Sequence, residues 1–95
     1  MENVTIRAVI FQDGDLWVAQ CLEHDISAQA KTVAEAYRRL AMTIRLEREM
    51  TTERGSEAFA GISAAPLYFH GLYSAAPGAY RPETNFDNFE AKLAA

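Results

Sequence analysis

The chain has 95 residues, 49% of them hydrophobic and 23% charged, and its 9 Lys and Arg against 13 Asp and Glu give a formal charge of −4. That length and balance exclude a second domain and wholesale disorder. The acidic sum argues against direct DNA binding, which ordinarily comes with a basic excess.

Cys21 is the only cysteine, so an internal disulfide and a cysteine-pair zinc site are both ruled out. No apolar run reaches the length a membrane-spanning helix needs. Met1-Glu2-Asn3 lacks the positive charge and apolar core of a signal peptide. A cytoplasmic protein with no membrane association is therefore expected. Gly-rich phosphate loops, nucleophile elbows and His-Glu-x-x-His patterns do not occur, so no cofactor, catalytic or metal-ligating residues are assigned.

In chain order, residues 4–11 read as a strand. Val4, Ile6, Ala8 and Ile10 fall on one face, and Thr5, Arg7, Val9 and Phe11 on the other. The second face begins polar and ends apolar, which fits a half-covered sheet. Gln12-Asp13-Gly14-Asp15 then predicts a hairpin turn, and residues 16–21 the second strand. Leu22-Glu23-His24-Asp25 reads as a connection. Residues 26–31 alternate as a third strand, with Ala28 and Ala30 leaving room for something packed above them.

A helix is the candidate for that space. Thr32-Val33-Ala34-Glu35 is a capping box. Val33, Ala36, Tyr37, Leu40, Ala41 and Ile44 follow helical spacing, and Gly55 is a stop signal, so the helix is predicted over roughly 33–53. Beyond it, 66–73 is an aromatic run read as a fourth strand, 75–79 a loop, and 85–93 a short final helix with Phe86, Phe89 and Leu93 on one face. Seven of the ten aromatics lie in this second half. A disordered tail would not be so aromatic, so residues 56–95 are expected to pack on the same domain or on a neighbouring subunit.

Trp17-Val18-Ala19-Gln20-Cys21, Ile26-Ser27-Ala28-Gln29 and Thr32-Val33-Ala34-Glu35-Ala36, in that order around an Asp-Gly hairpin, resemble the HicB antitoxin family over residues 4 to 50. At Glu23-His24-Asp25-Ile26 and Ala30-Lys31 the chain departs from the Pro-Gly-Cys and Gly-Asp segments of typical members, as a divergent branch would. The resemblance implies an α+β fold. Its three- to four-stranded, antiparallel-rich sheet would be packed by one long helix, in the order β-β-β-α-β, as a partial ribonuclease H-like architecture. Residues 1–55 would be the HicB-like unit and 56–95 an aromatic C-terminal extension. It also implies a partner, a small basic HicA-like RNase toxin that the protein binds and masks, and assembly as a homodimer or tetramer. No helix-turn-helix or ribbon-helix-helix pattern follows Ser56, so a DNA-binding domain is not expected.

Enzyme chemistry finds little support in the residues. Two-metal phosphodiester cleavage needs converging carboxylates, and residues 4–11 carry none. Cys21, Glu23, His24 and Asp25 crowd into five positions, but neighbours in extended chain point to alternate sides. Cys21 is read as a small buried apolar residue and the others as a solvated loop. The sharper reading makes Gln20, Glu23, His24 and Asp25 a partner-binding loop. Trp17, Tyr68, Phe69 and Tyr73 are the candidate interface aromatics. Two further readings stay open: a homo-oligomeric small-molecule binder with Tyr68, Phe69, Tyr73 and Tyr80 around a pocket, and a minimal hydrolase using His24.

Overall fold

The computed structural model describes residues 5–55, 57–82 and 89–94. Strands β1 (Ile6–Asp13), β2 (Leu16–Cys21) and β3 (Ser27–Ala30) are followed by helices α1 (Val33–Glu53) and α2 (Leu67–Ala75) and by strands β4 (Gly78–Tyr80) and β5 (Phe89–Leu93). The fold is α+β, a five-stranded mixed sheet in the order β3-β2-β1-β5-β4 with one long helix packed on it.

The hairpin closes through Gly14, whose φ of +64° suits the first central position of a two-residue turn between Asp13 and Leu16. The β2 and β3 strands pair antiparallel, with Trp17 opposite Ala30 and Ala19 opposite Ala28. Helix α1 has the predicted bounds and the predicted cap: Thr32 Oγ1 accepts a hydrogen bond from the Glu35 backbone N–H at 3.1 Å. Ala8, Ile10, Ala19, Cys21 and Ala30 on the sheet meet Ala36, Tyr37, Leu40 and Ile44 on α1. Small alanines on the strands let the helix approach closely. Its large residues then fill the layer, each fully buried one contributing about 1.5–3 kcal/mol.

The other sheet face, carrying Arg7, Val9 and Phe11, is covered by α2, where Phe69 stacks on Phe11 at 5.8 Å between ring centroids. This explains the apolar run Ala8-Val9-Ile10 in β1, all fully buried. The central strand is covered on both faces, so both residue parities are apolar there.

Two elements of the tail differ from the sequence expectation. The aromatic run expected as a fourth strand is instead helix α2, entered through Pro66. Its aromatics favour strands in isolation, but helical spacing brings Phe69 and Tyr73 together onto the sheet face. Phe89–Leu93, expected inside a final helix, is strand β5, parallel to β1 and antiparallel to β4. Phe89, Ala91 and Leu93 alternate toward the α1 core, and five residues satisfy either period. The remaining residues of that expected helix, 85–88, lie outside the described residues. The sheet therefore has five strands rather than three or four, and β5 sits inside it, between β1 and β4.

Candidate functional site

The segment joining β2 to β3 is held from several sides. Cys21 and Leu22 donate backbone hydrogen bonds to the carbonyls of Ile26 and Arg7, both at 2.9 Å. Asp25 N–H reaches Ser63 O at 2.7 Å, and Ala65 N–H reaches Leu22 O at 3.0 Å. The connection is thereby fixed both to β1 and to the chain leading into α2.

Gln20 is 5% exposed, and its amide nitrogen donates to Cys21 O at 3.0 Å and Asp25 Oδ1 at 3.1 Å. It ties the loop together from beneath. Glu23 turns back to β1, where Oε1 accepts from the Arg7 backbone N–H at 2.7 Å and Oε2 from Arg7 Nε. This bond is the main reason the guanidinium pKa lies above its ordinary value. A part-exposed ion pair adds only about 0–1 kcal/mol, so its main effect is to set the positions of loop and strand. Asp25 is the exposed carboxylate of the connection.

His24 stacks on Phe59 with ring centroids 3.9 Å apart, and the Arg48 guanidinium carbon lies 5.5 Å from the same Phe59 ring. Burial lowers the His24 pKa from its ordinary value despite the opposing pull of Glu23, which favours the neutral imidazole. Phe59 has a φ of +63°, a strained conformation for a bulky side chain. Thr51 holds it there by accepting its backbone N–H at 3.2 Å. Burial raises the Cys21 pKa, which leaves little thiolate at neutral pH and makes a nucleophilic role unfavourable. Among the described residues, no group of three or more His, Cys, Asp and Glu is placed to hold a metal ion.

The four aromatics Trp17, Tyr68, Phe69 and Tyr73, expected as interface candidates, do not form one patch. Trp17 lies on the α1 side, partly buried against the core. Phe69 packs on Phe11, and Tyr68, 68% exposed, meets Phe69 edge-on. Tyr73 lies beneath two cations, Lys92 Nζ at 4.6 Å and the Arg7 guanidinium carbon at 5.7 Å from its ring centre. Arg7 and Lys92 escape a motif search. Their only sequence signal is a polar residue alternating with apolar ones on a strand face. A cavity of about 270 Å³ opens beside them, lined by Tyr37, Tyr73, Tyr80, Arg81, Phe89 and Lys92. Tyr73 and Tyr80 of the expected pocket are therefore brought together; Tyr68 and Phe69 are not among its lining residues.

The site has the makings of a binding surface: a loop fixed by buried polar contacts, an exposed carboxylate and a cation–aromatic cluster. No protein-family model, curated protein or solved structure matches the chain. No helix among the described residues is long and apolar enough to cross a membrane.

Proposed function

We propose that the protein is a HicB-like antitoxin-type module that binds and masks a small basic RNase, working in the cytoplasm by binding rather than by catalysis. One observation carries the reading. The segments that resemble the family are assembled as one packed unit, with β3-β2-β1 side by side and the Thr32-capped α1 laid across them. A charge of −4 adds to it, since complementary charge speeds encounter with a basic partner. Asp25 is the contact we assign on the β2–β3 connection, with Gln20, Glu23 and His24 holding its backbone in place.

The test is co-expression with the product of the flanking gene. The expected outcome is copurification of a small basic protein whose RNase activity is suppressed in the complex, and weaker capture by Asp25→Lys. A flanking gene encoding nothing of that size and charge, together with pull-downs that recover no RNase, would remove the reading. The cavity beside Tyr73, Tyr80 and Lys92 favours one alternative, a homo-oligomeric binder of small anionic or aromatic molecules. A thermal-shift screen with such compounds separates the two: stabilisation lost in Tyr80→Ala supports the alternative.

A further inference from the structure

The cavity of about 270 Å³ lies where β4 ends at Tyr80 and β5 begins at Phe89. Its aromatic wall is fixed from behind. Tyr37, 2% exposed, meets the Tyr80 ring at 5.5 Å and the Phe89 ring edge-on at 5.3 Å between centroids. Tyr80 and Phe89 are themselves half-buried, so the packing that holds these rings leaves part of each for a ligand. A cavity of about 150 Å³ is enough for benzene. The larger volume here has room for one ring with a short side chain.

Charge decides what that side chain carries. Lys92 and Arg81 line the cavity, and neither forms an ion pair among the described residues. Arg7, Arg38, Arg39 and Arg54, in contrast, each pair with a carboxylate. Lys92 Nζ rests 4.6 Å from the Tyr73 ring centre, which positions the ammonium without neutralising it. Burial, with Glu90 adding to it, raises the Tyr73 pKa, so its hydroxyl keeps its proton at neutral pH. Glu90 is the one carboxylate among the described lining residues. Two cations against that carboxylate leave the lining at +1, in a chain whose sum is −4. Aromatic walls also suit organic cations, but Lys92 already takes the Tyr73 face and, with Arg81, repels a further positive charge. A dianion exceeds the charge that the lining balances.

We propose that this cavity binds a small aromatic monocarboxylate, its ring against Tyr80 and Phe89 and its carboxylate at Lys92 and Arg81. Such binding rests on the small-molecule reading of the cavity and narrows it to one chemical class. It needs neither a toxin nor a second copy of the chain.

Benzoate and phenylacetate, their neutral amides, benzylamine and acetate, each titrated at millimolar concentrations into the isotope-labelled full-length chain, test it through amide NMR shifts. Saturable shifts centred on Tyr80, Arg81 and residues 89–92 are expected with at least one of the two aromatic carboxylates. Its amide should bind about tenfold more weakly, having lost the charge-assisted hydrogen bond. Benzylamine and acetate should not shift these amides. Lys92→Gln should weaken the carboxylate about tenfold and its amide little, and Lys92→Arg should retain binding. Equal affinity for carboxylate and amide in the wild type overturns the proposal while the small-molecule reading survives, and it does so even if Lys92→Gln fails to fold. A folded Lys92→Gln with unchanged carboxylate affinity has the same effect. Shifts centred outside the cavity, or none with any compound, overturn both.

Discussion

Thr51 sits in a polar stretch of α1 between Met50 and Thr52, yet it is fully buried. Its hydroxyl donates to the Glu47 carbonyl at 2.9 Å and accepts the Phe59 N–H at 3.2 Å, so one side chain joins the end of the helix to the turn beyond it. Thr51→Val keeps the shape and strands the Phe59 N–H. The expected cost is about 1–3 kcal/mol, read as a lower midpoint in urea unfolding, whereas Thr51→Ser should lose much less. His24 gives a pH prediction. Its folded pKa is lowered, chiefly by burial, so the unfolded chain binds the proton more readily. The His24 contribution to stability is therefore fully present well above its unfolded pKa and is lost as the pH drops through the unfolded and then the folded pKa. Between pH 7.5 and 5.5, His24→Phe should lose less stability than the wild type, because it keeps the Phe59 stack and removes the titration. Equal losses in the two proteins would show that His24 does not drive the pH response.

At the scale of elements, the hairpin and α1 were legible because their signals are local. Gly14 supplies the positive φ of a tight turn, and Thr32 supplies the cap. Thr32→Ala removes that acceptor and should cost about 1 kcal/mol, which is roughly 4–8 °C in Tm for a domain of about this size. Thr32→Ser should restore most of it. Helix α2 and β5 were not legible, for two different physical reasons. Tyr68, Phe69 and Tyr73 have the propensity of a strand, but their surroundings offer a bare sheet face at Phe11 rather than a free edge. Phe89 to Leu93 is too short for periodicity to decide, and its strand state comes from hydrogen bonding to β1, far away in the chain.

At the scale of the whole molecule, the second half completes the sheet. β5 pairs with β1 from Ile6↔Phe89 to Ile10↔Leu93, and α2 covers Phe11 on the opposite face. A chain ending at Gly55 would leave β1 with an open edge beside the apolar run Ala8-Val9-Ile10. Such a truncation is expected to be aggregated or unfolded by size exclusion and circular dichroism, although it keeps every residue of the family resemblance up to Met50. A monomeric, cooperatively melting fragment would contradict that dependence. The candidate site depends on the same completion, since Asp25 is anchored by Ser63 and Tyr73 is met by Lys92 from β5.

By itself the sequence determined the acidic charge, the single cysteine, the Gly14 hairpin, the third strand and the full extent of α1. All of these follow from composition or from contacts a few residues apart. Only the tertiary structure decided that Gln20 and Glu23 face inward as supports while Asp25 faces out, that Arg7 and Lys92 converge on Tyr73, and that the tail inserts a parallel strand beside β1. Those outcomes depend on partners distant in sequence, and no local spacing encodes which distant groups will meet. The exposed row of Met42, Leu46 and Met50 on α1 falls between the two. Its spacing is visible in the sequence, but its exposure is known only once the opposite side of α1 has taken the core.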